Sequence, residues 1–309
     1  MTKVRHLISL NDLDDDSLIA IAKRGVEFAD GLRDGENALK GLIIGVYFRK
    51  ASTRTRTAFS SAALRLDAKI ISYGPHDLQE NTGEAPADTA RVLSHMLDGL
   101  IMRTAGDPCE MRSFAAHDRM AVINAMSMDE HPTQALADIT TLLQHFGDLR
   151  GIRVLYMGEG NNTISALAYS LTRMGSTELF VYTPEGYGLD DTTMRIAREY
   201  ARHSGSSILQ CHDPSNLPDE VDVVYTTRWQ TTGTTKSDDR WREKFQPFAV
   251  NEQLIGRFHD CVFMHDLPAH RGEEVTSSVL EGVTSLAFKQ AKNKLYSAMA
   301  VLEWCFRKF

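Results

Sequence analysis

Cysteine is scarce in this 309-residue chain, with four residues at 109, 211, 261 and 305 and no Cys-x-x-Cys spacing among them. That pattern indicates neither a zinc site nor a disulfide framework, and a reducing compartment fits it best. A hydrophobic leader is missing from Met1-Thr2-Lys3-Val4-Arg5-His6, and no apolar run reaches the roughly 18 residues of a membrane span. A soluble, cytoplasmic protein is expected. Positive charge is not in excess either, since the net charge is −7 and the pI near 5.9. General nucleic-acid or membrane binding is therefore disfavoured, although a local cationic pocket is not. Internal repeats and low-complexity segments are lacking too. What is present, 42% hydrophobic and 24% charged residues, suffices for the cores of two folded domains.

Helical patterns around Asp15–Phe28, Thr53–Leu66 and Asp88–Leu97 alternate with short apolar runs at Leu42–Phe48, Lys69–Tyr73 and Gly99–Met102. Alternation of this kind implies a parallel sheet covered by helices. A second series follows Gly147-Asp148-Leu149-Arg150-Gly151. Its strands are expected near Arg153–Met157, Glu178–Tyr182, Asp222–Thr226 and Cys261–His265, separated by helices near Thr163–Met174 and Thr192–His203. The fold class is α/β, with two doubly wound parallel-sheet domains joined by long helices. Residues 1–140 with a returning helix at 285–309 form the first, and residues 141–284 the second. Pro132 suits the first position of the joining helix. Thr231–Asp239, with four threonines, a glycine and a lysine, is either a mobile loop near a ligand or an ordinary surface loop.

Ser52-Thr53-Arg54-Thr55-Arg56 places two arginines where a helix should begin, directly after an apolar strand. Cations there oppose the positive end of the helix dipole unless an anion sits among them, and a phosphate is such an anion. The plainer reading is a surface helix capped by Ser52. Other chemistry lies at strand ends, where open α/β sheets bind ligands. His131-Pro132-Thr133-Gln134 presents either a ligand-facing or a merely capping histidine. Arg103 closes an apolar strand and projects over its carboxyl edge, unless it is a surface arginine. His265-Asp266-Leu267-Pro268 ends a buried strand in a tight turn that points backbone carbonyls into a cleft. Gly158-Glu159-Gly160 follows a strand and opens a helix, but the third glycine of a dinucleotide fingerprint would fall at Thr163. A nicotinamide enzyme is not predicted.

In order and spacing, Ser52–Arg56, Asp88-Thr89-Ala90-Arg91-Val92-Leu93, His131–Gln134 and the segment from His265 through Leu267-Pro268-Ala269-His270-Arg271-Gly272-Glu273-Glu274-Val275-Thr276 match one family. Over almost its whole length the chain resembles the aspartate/ornithine carbamoyltransferases. The resemblance implies a carbamoyl-phosphate domain and an amino-acid domain in a homotrimer whose sites lie between subunits, with neither metal nor organic cofactor. By the same resemblance Ser52, Thr53, Arg54 and Thr55 hold phosphate while Arg103, His131 and Gln134 address the carbamoyl group. Arg54, Thr55, Arg103 and His131 are then the catalytic residues. The Leu267 carbonyl orients the carbamoyl amide or the attacking amine, and Gln79 is lent across the subunit interface. Lys294 stands where ornithine enzymes carry an arginine, keeping the charge without the planar fork.

Elementary chemistry agrees with this set. Carbamoyl phosphate is a dianion whose carbonyl becomes an oxyanion as a neutral amine attacks, so donors must surround both groups. No serine or cysteine nucleophile beside a base is evident, consistent with direct transfer and proton uptake by the departing phosphate.

The acceptor side is a mosaic. Where ornithine enzymes carry an Asp-x-x-x-Ser-Met-Gly loop, this chain has Thr227, Thr231, Thr232 and Gly233. Arg228 instead resembles the aspartate-type arginine that grips a carboxylate. A second such arginine is replaced by Asn162, which resembles the ornithine type, and a neighbour-supplied lysine by Thr82. Asp266 stands in the middle of the His-x-Leu-Pro turn, where a carboxylate attracts an ammonium. Arg228 for a carboxylate and Asp266 for an amine predict a short diamino acid such as 2,3-diaminopropionate, or ornithine. The alternatives are aspartate carbamoylation, a non-catalytic ligand-binding relative, or Asp266 and Arg228 simply pairing with each other.

Overall fold

Strand register decides which loops of this chain come together. The computed structural model describes residues 4–78, 82–231 and 233–309, which divide into two units, Met1–Thr140 with Lys292–Phe309 and Thr141–Ala291. The first unit contains α1(Asp15–Ala29), β1(Ile43–Phe48), α2(Arg54–Arg65), β2(Lys69–Tyr73), α3(Pro86–Leu93), β3(Gly99–Arg103), α4(Pro108–Ala115) and β4(Ala121–Met126). Its sheet has the order β2-β1-β3-β4 with every pair parallel. Strands β1, β3 and β4 are buried almost throughout, so continuous burial replaces alternation, whereas β2 at the sheet edge is largely exposed. Phe48 lies opposite Arg103, and Arg103 opposite Met126. The carboxyl ends of β1, β3 and β4 therefore adjoin, and from them the chain continues to Ser52–Thr55, Arg103 itself and His131.

Helix α5(Pro132–Phe146) opens at the proline, as its fixed backbone angle favours. The chain passes from the first unit to the second within α5, and returns within the C-terminal helix. The second unit contains β5(Arg153–Met157), α6(Asn162–Leu171), β6(Glu178–Tyr182), α7(Asp191–Ser204), β7(Ser207–Cys211), β8(Val223–Thr226), the short α8(Trp241–Phe245) and α9(Glu252–Ile255), β9(Val262–His265) and α10(Ser277–Leu280). Helix α11(Ala287–Cys305) follows. This sheet is also parallel, in the order β7-β6-β5-β8-β9. Met157 faces Thr226, and Thr226 faces His265, so the loops after β5, β8 and β9 leave one edge together.

Two strands, β4 and β7, are absent from the expectation. Buried β4 carries Asn124 in its middle, whose amide donates to the Ile8 carbonyl at 2.8 Å and to Ser127 Oγ at 3.1 Å. A polar residue thus interrupts the apolar run while being fully satisfied. At the sheet edge, β7 is half-exposed and its composition is mixed. Separate cores support the units, one including Tyr47, Leu100, Met102 and Phe114, the other Leu155, Val224, Phe248 and Phe263. No helix among the described residues is long and apolar enough to cross a membrane.

Candidate active site

Helix α2 starts without a side-chain cap. Thr53, not Ser52, is the N-cap, with helical angles (φ −73°, ψ −55°) and no side-chain capping bond. The plainer alternative, a surface helix capped by Ser52, is therefore not what the structure has, and no side chain caps the first turn. Arg54 is half-buried and no acidic residue occupies the first turn. Arg56 departs from the pair, being exposed and donating to Ser72 Oγ of β2 at 2.6 Å. Its neighbour Thr55 is buried, and Arg103 Nη1 reaches its Oγ1 at 3.5 Å.

The same Nη1 lies 3.4 Å from His131 Nε2. A guanidinium can only donate, so Nε2 accepts and the ring proton sits on Nδ1, which donates to Thr133 Oγ1 at 3.4 Å. Burial first, then the charges of Arg103 and Lys294, hold the His131 pKa well below 6.5. The imidazole is neutral at physiological pH. Thr55, His131, Thr133, Gln134 and Lys294, with Ala58, Phe59 and Ala298, line one cavity. Gln134 donates through Nε2 to Asp138 Oδ1 at 2.7 Å, and this fixes its amide orientation. Its Oε1 is buried and accepts no hydrogen bond among the described residues. A ligand N–H would satisfy it.

Glu130, missed in the sequence, precedes His131 and is 5% exposed. Its carboxyl accepts from Ser9 Oγ at 2.5 Å and from the Leu10 amide at 2.7 Å. Burial pushes its pKa up to about 7, against the pull of those hydrogen bonds. Asn124, Ser127 and Glu130 thus fasten the loop before His131 to Ile8–Leu10. No local sequence signal marks this, since the partners lie over a hundred positions apart.

In the second unit the three adjoining loops bring together several acceptor-side candidates. Asp266 accepts from Thr227 Oγ1 at 2.8 Å and from Thr163 Oγ1 at 3.1 Å. His265 Nδ1 accepts the Leu267 amide at 2.8 Å while Nε2 donates to Glu274 at 3.3 Å, so this histidine braces the turn. Leu267 has φ +53° and a cis bond to Pro268. Asn162 is the first residue of α6 and is buried. Arg228 Nε donates to the Gln230 carbonyl at 2.7 Å, and Thr231 bonds Glu159. Gln79 and Thr232 lie outside the described residues; Thr82 is exposed. Thr163, whose hydroxyl holds Asp266, was seen in the sequence only as a failed glycine.

Gly160 has a structural explanation independent of any dinucleotide. A Cβ there would stand 2.2 Å from the Gly188 carbonyl carbon, so the loop after β6 can approach only glycine. Among the described residues, one group offers metal-ligand geometry, His270 with Glu273 and Glu274. Its Glu274 is already engaged by His265 and by the His270 amide.

Comparison with known proteins supplies the context for this geometry. Over 301 residues the chain is 36% identical to the ornithine carbamoyltransferase of Thermococcus kodakarensis, covering 96% of this chain and 95% of that one. Its structure is similar to that of ornithine carbamoyltransferase from Pyrococcus furiosus, with a TM-score of 0.90 and 36% identity over 97% of this chain and 96% of that one. A similar likeness holds for the Gloeobacter violaceus ornithine carbamoyltransferase, with a TM-score of 0.87, 33% identity and coverage of 98% and 99%. Residues 5–144 match the carbamoyl-P binding domain and residues 150–305 the Asp/Orn binding domain of aspartate/ornithine carbamoyltransferase, and the chain belongs to that family.

Proposed function

We propose that the protein transfers the carbamoyl group of carbamoyl phosphate to an amine of a short diamino acid, 2,3-diaminopropionate being the example that best suits its side chains. One observation carries the donor half of this reading. Thr55 and His131, both contacted by Arg103, line a cavity with Gln134, whose buried Oε1 has no hydrogen bond among the described residues. A carbamoyl group needs that mixture, with donors for its carbonyl oxygen and an acceptor for its N–H groups.

Phosphate would rest on Ser52, Thr53, Arg54 and Thr55, where the helix dipole and the arginine favour a dianion. As the amine attacks, charge grows on the carbonyl oxygen, and Arg103, Thr55 and neutral His131 donate to it. Donation by His131 requires its other tautomer, which Arg103 permits once it turns to the ligand. Lys294 adds fixed positive charge. The tetrahedral intermediate then breaks its bond to the phosphate oxygen, and phosphate leaves with the amine's proton.

On the acceptor side, Asp266 would take the ammonium that does not react, held for it by Thr163 and Thr227. Arg228 would take the carboxylate, with Asn162, Thr231, Thr232 and the Leu267 carbonyl positioning the rest. Ornithine is the competing acceptor, favoured by the names of the relatives and by Asn162. The same reading includes a cytoplasmic homotrimer with Gln79 serving a neighbour, in which residues 1–140 and 285–309 bind donor and residues 141–284 bind acceptor. Light scattering should then give three times the 34.5 kDa chain mass.

An assay with carbamoyl phosphate and equal concentrations of ornithine, aspartate and 2,3-diaminopropionate, read as ureido product, decides the acceptor. Diaminopropionate should be carbamoylated fastest. Preference for ornithine or aspartate overturns that assignment, and inertness of all three overturns the enzymatic reading.

A further inference from the structure

The threonine-rich stretch after β8, for which composition left mobility open, is fastened from beneath by a lysine. Lys236 has a side chain only 4% exposed. Its ammonium lies 4.9, 5.2 and 5.1 Å from the ring centres of Tyr187, Trp241 and Phe245, and it is paired with Glu159 Oε1. A desolvated cation is costly unless it is both paired and solvated by π faces, and here it has both. The other Glu159 oxygen accepts the Thr231 hydroxyl at 2.7 Å and the Thr231 amide at 3.2 Å. Thr231 in turn accepts at its carbonyl from the Thr234 amide and hydroxyl. Gln230 donates to the Thr234 carbonyl at 2.8 Å and receives Arg228 Nε at 2.7 Å. The Glu159 backbone is anchored in turn, because Tyr156 donates to its carbonyl at 2.5 Å and Gly160 packs against Gly188.

We propose that Lys236 and Glu159 are positioning residues for acceptor binding, an internal ion pair in an aromatic box that sets Thr231 and, through Gln230, Arg228. The assignment rests on the reading that Arg228 and Thr231 address the acceptor. Neither Lys236 nor Glu159 need touch substrate. The carboxylate orders two Thr231 donors, and the ammonium fixes the carboxylate and closes the loop over it.

Lys236→Met fills the box without charge, and Lys236→Arg keeps the charge and the π contacts. Both are compared with the unmodified chain for steady-state kinetics and for amide hydrogen exchange of residues 228–236 without substrate. In Lys236→Met the acceptor KM should rise roughly tenfold or more, the size expected for losing a charge-assisted contact. The KM for carbamoyl phosphate should stay within about twofold, and the Thr231 amide should exchange at least about tenfold faster. Lys236→Arg should restore most of both. An acceptor KM and loop exchange within about twofold of the parent in Lys236→Met overturns the proposal. Should that variant not fold, Glu159→Gln is measured identically, with the same expected changes and the same overturning result. If no amine is carbamoylated, the functional reading fails, and the exchange data still decide whether Lys236 fastens the loop.

Discussion

Two helices begin in equivalent places and end up chemically opposite. Helix α2 follows β1 and helix α6 follows β5, each at the carboxyl edge of a parallel sheet. At α6 the start is complete, because Asn161 is extended (φ −115°, ψ −175°) and its Oδ1 accepts from the amides of Thr163 and Ile164 at 3.0 and 3.3 Å. A carboxylate attends that turn, since Asp266 accepts from the Thr163 hydroxyl. At α2 the N-cap Thr53 makes no side-chain capping bond, and Arg54, Arg103 and Lys294 are the charges of its surroundings. The proposed function puts an anion at the first unit's edge and a cation at the second's. In the proposed reading, a first turn whose amides the cap side chain has not used is the one that takes phosphate.

Breaking the anion side should have the largest effect. Arg54→Ala removes a cation from the uncapped turn and should lower kcat/KM for carbamoyl phosphate roughly 100- to 1000-fold, as loss of a preorganised donor does. A loss of under about tenfold in the ureido-product assay would remove Arg54 from the proposed donor site.

A buried carboxyl next to His131 sharpens the contrast, because the donor side keeps it from being a fixed negative charge. Burial pushes the Glu130 pKa from 4.5 up to about 7, with Ser9, the Leu10 amide, Asp12 and Arg112 as the groups around it. Between these values the folded protein keeps a proton that the unfolded chain has released. This contribution therefore falls as pH rises from about 4.5 to about 7, by roughly 3 kcal/mol in all, and is flat above. Glu130→Gln mimics the protonated form, with Nε2 able to donate to Ser9 Oγ. Urea unfolding should show the variant gaining on the parent as pH rises from 5 to 8. His131 acts oppositely below 6.5, where the unfolded chain takes up a proton that the buried ring refuses. Subtracting parent from variant isolates Glu130. A difference independent of pH would show that its carboxyl is not driven toward the neutral form.

On the cation side, Asp266→Asn keeps the shape that Thr163 and Thr227 hold but removes the charge. The KM of the acceptor should rise roughly 10- to 100-fold, from about 1.5–3 kcal/mol for a hydrogen bond to a charged group. The donor KM should hardly move. An unchanged acceptor KM would leave the second sheet edge without its proposed role.

The parallel sheets were legible because helix-covered strands read as unbroken apolar runs, as in Ile43–Phe48 and Arg153–Met157. Strands that depart from that composition were invisible, β4 through its satisfied Asn124 and β7 through its exposure at an edge. In the site, Arg103 and His131 could be placed from their positions at strand and helix ends, and the structure brings both to Thr55. What local patterns could not convey was long-range pairing. Glu130 finds Ser9 121 positions away, and Lys236 finds Glu159 77 positions away. The Ser52 cap, the plainer alternative for this turn, is absent because cap preference is a local average and the backbone at Thr53 is already helical.

The smallest effect isolates the caps themselves. Asn161→Ala removes two hydrogen bonds from buried first-turn amides of α6 and should cost about 1 kcal/mol of unfolding free energy. Thr53→Ala removes no capping bond, so its cost should be no more than a few tenths of a kcal/mol. Its expected consequence is instead a weaker hold on carbamoyl phosphate, visible as a raised KM for the donor, because the proposed phosphate contact involves that hydroxyl. The two alanine variants should therefore separate, one losing stability and the other losing donor affinity. If Thr53→Ala destabilises the fold as much as Asn161→Ala does, α2 is an ordinarily capped helix in solution. Arg54 alone would then be left to hold an anion at its amino end.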